Sequence, residues 1–258
     1  MQSGKREYQV IVPTRESARW IGSMLDAYRT LGIEPLFLYD ARSTDNTFAL
    51  LRAMKADCIS LEPEFDRVES MLSAVRDVVD QEWVVRFDDD ELPSAALIEW
   101  LDTSLRHIKE DAIALSCRNA QFVEERLCFA RLEDFYFHPV DLTYLCPAWR
   151  AFRPRKVEFT DAVHTPGFRI SQFATAPSSA FFVHFDWTLR TVEQRLEKVR
   201  RYERQSPGGG WPLAQFYLPE LHVQEDLRWT PFETAEFDHL AQQLLTRAPA
   251  LRLGAEGP

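Results

Sequence analysis

The stretch VVRFDDDELPS, Val84 to Ser94, decides how this chain is read. An apolar run, WVVRF, has the composition of a buried strand, and Asp88, Asp89, Asp90 and Glu91 follow directly at its carboxyl end. Four adjacent carboxylates repel one another, and a cation among them removes the repulsion. On an extended chain side chains alternate, so Asp88 and Asp90 would point the same way. Two such carboxylates suit a hard divalent ion with oxygen ligands. Capping of the following PSAALIEWL helix would explain one carboxylate near a helix N-terminus, not three at a sheet edge.

Upstream, apolar runs alternate with amphipathic ones. YQVIVPT (Tyr8–Thr14) reads as a buried strand. In ESARWIGSMLDAYRTLG the residues Ile21, Leu25 and Tyr28 recur at helical spacing, and Gly32 is placed to end the helix. EPLFLYD is a second strand, STDNTFALLRAM a helix opened by capping residues, ADCISLE a third strand. DRVESMLSAVRDVVD is helical by its stripe of Val68, Met71, Leu72, Val75 and Val79. This order predicts an α/β fold with a mostly parallel central sheet and right-handed crossovers. Ligands of such sheets bind beyond the carboxyl ends of the strands. The loops Pro13–Ser17, Asp40–Thr47 and Asp88–Pro93 all fall at that edge. After Asp111 the pattern becomes alternating and rich in aromatics, which predicts antiparallel strands, and TVEQRLEKVRRYERQ reads as a charged helix with a solvated face. No linker-like stretch interrupts the chain, so one domain is expected over residues 1–245, with a flexible tail over 246–258.

The formal net charge of −10 argues against nucleic acid as a partner, because both are negative. Cys58, Cys117, Cys128 and Cys146 form no CxxC and have no companion histidines, so they read as reduced thiols. The N-terminus has no long apolar segment and no run is long enough to span a bilayer, which predicts a cytoplasmic protein with at most peripheral membrane contact.

VIVPTRE, LYDARSTDNT and VVRFDDDELPS, in this order, resemble the nucleotide-sugar half of the family 2 glycosyltransferases of the GT-A fold. There the first strand ends in Pro-x-x-(Asn)-Glu, the second in Asp-Asp-Gly-Ser-x-Asp-x-Thr, and the fourth in Asp-x-Asp. The resemblance covers residues 8–101 and leaves 102–245 as the acceptor-side half. Ala41 and Arg42 replace the Asp and Gly of the second motif, and Arg15 stands where Asn is common. The resemblance implies that Pro13, Thr14, Glu16, Asp40, Arg42, Asp45, Arg86, Asp88 and Asp89 surround a nucleoside-diphosphate sugar, UDP being the expected nucleotide. It also implies that Asp88, Asp90 and the later His184 hold Mn2+ or Mg2+. WRAFRPRKVEFTDAVHTPGF resembles the R-x-F-R…V-H region of family members that build bacterial surface glycans. An inverting transfer needs a carboxylate to take the acceptor proton. Glu158, Asp161 and His164 are candidates, and Asp161, in a loop-like stretch, is favoured.

The implied activity is transfer of a hexose to a glycan, lipid-linked or other hydroxyl acceptor. A nucleotidyltransferase would need a glycine-rich phosphate loop after the first strand, and VPTRESARW has no glycine there. A non-catalytic binding protein of the same fold is the remaining alternative. The basic cluster Arg150, Arg153, Arg155 and Lys156 reads either as an anion-binding patch or as a charged strand edge. Trp149, Phe152, Trp187 and Trp211 read as core or as sugar-stacking rings, with Trp211 beside PGGG on a mobile flap.

Overall fold

A computed structural model describes residues 6–62, 68–123, 126–131, 147–160, 166–205, 207–208, 214–218, 229–232, 237, 240 and 242–243. The chain gathers into two compact units: Met1–Ser116 with Pro147–Phe182, and Cys117–Cys146 with Val183–Pro258.

The first unit opens with β1 (Tyr8–Thr14), α1 (Ile21–Thr30), β2 (Leu36–Asp40), α2 (Thr47–Ala53) and β3 (Asp57–Leu61). There follow α3 (Val68–Met71), a 3-10 turn (Leu72–Ala74), α4 (Val75–Val78), β4 (Trp83–Arg86), β5 (Glu91–Pro93) and α5 (Ala95–Ser104). β6 (Ala112–Val123) starts in this unit and finishes in the second, which also holds β7 (Arg126–Arg131). β8 (Pro147–Phe152), β9 (Glu158–Phe159), β10 (Phe168–Arg169) and β11 (Phe173–Thr175) return to the first. β12 (Phe181–His184) leads out of it into α6 (Asp186–Leu189), α7 (Val192–Gln205), α8 (Ala214–Tyr217) and β13 (Trp229–Pro231).

In the first unit β1 pairs in parallel with β2 and with β4, and β2 with β3. β8 adds antiparallel to β4, and the first half of β6 antiparallel to β8. A parallel sheet is covered on both faces, so its strands must be apolar throughout. β1 obeys this: every residue but one is buried, with Ile11 and Val12 fully enclosed. Pro13 cannot donate to a ladder. It lies two residues past Ile11, the last β1 residue paired with β4. Ile11, Leu38, Leu72, Val75, Val84 and Phe152 form a continuous core with no exposure at all. Burial of each such side chain contributes about 1.5–3 kcal/mol.

The expected helices form, with one difference. The helix expected from Asp66 onward narrows to 3-10 geometry at Leu72–Ala74, where the Ser73 hydroxyl donates to the Ser70 carbonyl at 2.9 Å. Such local back-bonding competes with the α-helical ladder. α1 ends where expected: Gly32 has φ 68° and the Ile33 N–H reaches back to the Tyr28 carbonyl. α5 is capped by Ser94, whose hydroxyl accepts from the Leu97 N–H at 3.1 Å, so no carboxylate of the acidic stretch serves as its cap.

Of the basic cluster, Arg150 and Arg153 turn inward, whereas Arg155 and Lys156 are exposed. Arg153 donates to the carbonyls of Ile108, Lys109 and Glu110 and lies over the Trp83 ring. Arg155 donates to the carbonyls of Val79 and Asp80. Phe152 is core, and Trp149 meets Phe173 edge-on. Cys58 and Cys117 are free and partly buried, and Cys128 is free and buried. Burial pushes the Cys58 thiol up to about 11. Cys146, Trp211 and the expected tail lie outside the described residues.

In the second unit the latter half of β6 pairs antiparallel with β7, and β7 with β13. Trp187 of α6 is buried and meets Trp229 edge-on. α7 packs on α8 through Val199, Tyr217 and Leu218 and exposes Glu197, Arg200 and Arg204 on its other side. Among the described residues no helix is long and apolar enough to cross a membrane.

The buried Tyr28 hydroxyl of α1 donates to the Glu91 carbonyl at 2.6 Å and ties that helix to the acidic stretch. Tyr28→Phe removes this bond with little change in volume. It is expected to cost about 1 kcal/mol, read as a lower denaturant midpoint at constant m-value; an unchanged midpoint refutes the tie.

Candidate active site

β1 has β2 on one side and β4 on the other, and the chain order reverses between these neighbours. That arrangement opens a crevice at the carboxyl ends of the strands. β1 and β4 part after Ile11 and Arg86, while β1 and β2 stay paired to Thr14 and Tyr39. The gap is spanned by Asp89. Its Oδ2 accepts from the Thr14 hydroxyl at 3.2 Å, from the Arg15 N–H at 3.3 Å and from the Ser17 hydroxyl. Thr14, Ser17 and Asp89 are all buried.

The same β1 loop is laced to the loop after β2. Glu16 takes a left-handed backbone, φ 55°, a conformation that costs a non-glycine residue about 1–2 kcal/mol. Two contacts offset it: its N–H donates to the Ser43 hydroxyl at 2.9 Å, and its carboxylate accepts from the Thr44 N–H at 2.7 Å. Asp45 accepts from the Ala18 N–H at 2.8 Å and the Thr47 N–H at 3.0 Å. Burial pushes the Asp45 carboxyl up, but the bonds from Thr47, Ala18 and Ser43 outweigh it and lower its pKa. Asp40, buried at the end of β2, receives Arg42 Nε at 2.9 Å on one oxygen and a second Arg42 nitrogen at 2.6 Å on the other, with Arg15 at 3.7 Å. Burial pushes its pKa up, but Arg42, with help from Arg15, makes the net shift downward.

Residues 88–91 do not continue the strand. The Glu91 N–H donates to the Asp88 carbonyl at 3.0 Å, and the Asp88 N–H donates to the Glu91 carboxylate at 2.8 Å. This reciprocal turn replaces the expected alternation, so Asp88 and Asp90 do not share one strand face. Asp88 meets guanidinium groups instead: Arg86 bonds one oxygen at 3.0 and 2.9 Å, and Arg150 bonds the other at 3.1 Å and also bonds Glu91. The guanidinium of Arg150 lies over the Phe182 ring. Burial raises the Asp88 pKa and the Asp90 charge raises it further, but Arg150 and Arg86 win and bring it to about 2. Asp90 is 3% exposed and Glu91 2%.

In the second unit His184 ends β12 as expected, and it is buried. Its Nδ1 lies 3.0 Å from Oδ1 of Asn119 on β6. Asp186, the first residue of α6, is fully buried and receives Arg190 at 2.7 Å and Lys198 at 2.8 Å on Oδ1. Asp186, Asn119 and Ser17 do not read as site residues from sequence, and the inward-facing Arg150 reads there only as part of an anion-binding patch or a charged strand edge. The HFD spacing of Asp186, two residues past a strand-end histidine, is a signal that was available; the partners of Arg150 and Asn119 are remote in sequence and left none. Glu158 is exposed, 66% for its side chain, and pairs with Arg169. Asp161 and His164 lie outside the described residues.

No family model and no curated protein matches the sequence. Solved structures do match. Glucosyl-3-phosphoglycerate synthase from Mycobacterium tuberculosis, in complex with Mn2+, UDP and glucosyl-3-phosphoglycerate, is 15% identical with a TM-score of 0.52, over 88% of each chain. Residues 1–349 of TarS from S. aureus, in complex with UDP-GlcNAc, are 12% identical with a TM-score of 0.51, over 94% of this chain and 72% of that one. The fold is GT-A. The expectation of a mostly parallel, helix-flanked sheet with a later antiparallel part is met, and the crevice between β1 and β4 is the carboxyl edge of a GT-A sheet.

Because its folded pKa is depressed, Asp88 adds stability that is fully present above the ordinary value of 3.8 and is lost as the pH falls toward about 2. Arg150→Met removes the opposing charge that lowers the Asp88 pKa most, so the acid limb of the stability profile is expected to move to higher pH. Urea midpoints measured between about pH 2 and pH 6 check this; superimposable acid limbs would rule out the pairing.

Proposed function

We propose that the protein is a metal-dependent glycosyltransferase that moves a sugar from a nucleoside-diphosphate sugar to an acceptor hydroxyl. The observation that carries the reading is the pre-laced crevice of a GT-A sheet, where Thr14, Asp40 and the Asp88–Glu91 turn converge at three strand ends. The two solved neighbours support it, since one is held with Mn2+ and UDP and the other with UDP-GlcNAc.

In this reading Asp40, Arg42 and Thr14, with the loop ordered by Glu16 and Asp45, receive the nucleoside, and UDP is the nucleotide. Asp90 and His184, a carboxylate and an imidazole that are each buried, are assigned to the ion as the resemblance to family 2 transferases implies. That donor set fits a divalent cation, and a nitrogen among the oxygens favours Mn2+ over Mg2+. When bound, the ion offsets the charge that grows on the departing diphosphate. Asp88, its oxygens taken by two arginines, serves the ribose side of the pocket and not the ion. Arg86 and Arg150 keep it ionised, and Asp89 fixes the width of the crevice through Thr14 and Ser17. Asp161 is assigned as the base that takes the acceptor proton, and inversion at the anomeric carbon goes with that assignment. The acceptor is a glycan or lipid-linked hydroxyl of surface-polysaccharide synthesis, reached from the cytoplasm by one catalytic domain spanning residues 1–245.

Asp90→Ala is expected to lower Mn2+-dependent release of UDP from a UDP-sugar by a factor on the order of 100 or more, with an unchanged circular dichroism spectrum. Turnover at the wild-type rate overturns the metal assignment. A thermal-shift panel of UDP, GDP, CDP and dTDP, each with Mn2+, is expected to raise Tm for UDP above the others; at a ligand concentration of 100 Kd the gain is about 2.7 kcal/mol. Equal shifts for all four would remove UDP from the reading.

A further inference from the structure

Asn119 is 1% exposed, on a strand whose next residue, Ala120, is fully enclosed. A buried amide on such a strand is costly unless its polar atoms are paired. The side chain makes one bond, from Oδ1 to Nδ1 of His184 at 3.0 Å, and its Nδ2 has no hydrogen-bond partner among the described residues. An orphaned buried amide nitrogen costs about 1–3 kcal/mol. A residue kept purely for packing would be apolar and escape that cost. The bond to His184 is what the asparagine adds.

The direction of the bond has a chemical consequence. An amide oxygen only accepts, so the contact requires the proton on Nδ1. A neutral imidazole carries a single ring proton, and Nε2 then keeps its lone pair. The backbone reinforces the geometry. Asn119 is held in the β6–β7 ladder opposite Ala130. The adjacent Ala120 carbonyl accepts from the Thr188 hydroxyl at 2.8 Å, four residues beyond His184. The segment from His184 to Thr188 is therefore held to neighbouring residues of one strand at two points.

We infer that Asn119 is a positioning residue: it fixes His184 as the Nδ1–H tautomer and aims Nε2 for coordination of a divalent cation. This rests on the metal reading of His184 given above. The opposite rotation of the amide would place Nδ2 against Nδ1, put the ring proton on Nε2 and close that atom to a metal.

Nitrogen-15 labelled full-length protein, without metal, gives the tautomer directly from long-range proton–nitrogen correlations of the His184 ring, assigned by their loss in His184→Gln. Wild type is expected to show Nδ1–H, and Asn119→Ala to lose that preference. Mn2+ titration followed by electron paramagnetic resonance of the free ion is expected to show a Kd raised about 10- to 100-fold in Asn119→Ala. Asn119→Asp keeps an acceptor in place. It is expected to retain the Nδ1–H signal and to bind Mn2+ at least as tightly as wild type, which guards against an alanine variant that simply misfolds. An Nε2–H tautomer in wild type, or Mn2+ binding by Asn119→Ala indistinguishable from wild type, overturns the role of Asn119 alone. A wild-type protein that keeps the Nδ1–H tautomer yet binds no Mn2+ overturns the metal reading, and with it the purpose assigned to Asn119.

Discussion

The Asp88 carboxylate, held between the guanidinium groups of Arg86 and Arg150, is the interaction on which the edge of the sheet depends. Four acidic residues in succession cannot be folded into a turn of mostly buried side chains without compensating charge nearby. Arg86 comes from the same strand and Arg150 from β8, the antiparallel neighbour of β4. The pairing of β8 with β4 thus delivers a cation to the strand end as well as closing the core at Phe152. Asp88 is only partly buried and has two arginine partners, so each pair adds little to stability over apolar packing. Their value here is orientation: the turn has one arrangement that satisfies Asp88, Glu91 and Arg150 together.

Once the turn is set, the rest of the crevice follows by hydrogen bonding. Asp89 points back to β1 and takes two hydroxyls and a backbone N–H there. Glu16 and Asp45 then join the β1 loop to the β2 loop. The strained backbone of Glu16 is stable only because both its N–H and its carboxylate are used. Three loops far apart in sequence are thereby joined to one another by side-chain hydrogen bonds.

The parallel half of the fold was legible because its signals are local. Apolar runs of strand length, stripes at helical spacing, Gly32 and the serine of PSAALIEWL each depend on neighbours in sequence. The turn at Asp88–Glu91 was not legible, since an acidic run after a strand has the same composition whether it stays extended or folds on itself; the Glu91 side chain decides it by taking the Asp88 N–H. Arg150 and Arg153 read as an anion-binding patch or a charged strand edge because an arginine's partner cannot be known from its own segment. In the structure Arg150 finds Asp88 across the sheet and Arg153 finds the carbonyls that end the stretch after α5. His184 was legible as a strand-end imidazole, whereas Asn119, 65 residues earlier, gave no sign that its amide would meet that ring.

The departures at Ala41–Arg42 from the resembled motif have a physical reading in the same terms. Arg42 stands two residues after Asp40 and bonds both its oxygens, as Arg86 stands two residues before Asp88 and bonds one of them. Asp186 in the second unit is likewise held by Arg190 and Lys198. Each of these acids, Asp40 and Asp186 buried and Asp88 partly so, thus has cations of its own. The pattern answers a difficulty posed by the net charge of −10, which by itself repels any anionic ligand. Potential at short range is set by the nearest charges and is screened within about 8 Å at physiological salt. A strand end whose carboxylate is already paired with a guanidinium presents N–H donors and hydroxyls in place of bare negative charge. An acidic protein can on these terms reduce the negative potential at individual strand ends, as Arg42 does at Asp40 and Arg86 with Arg150 at Asp88.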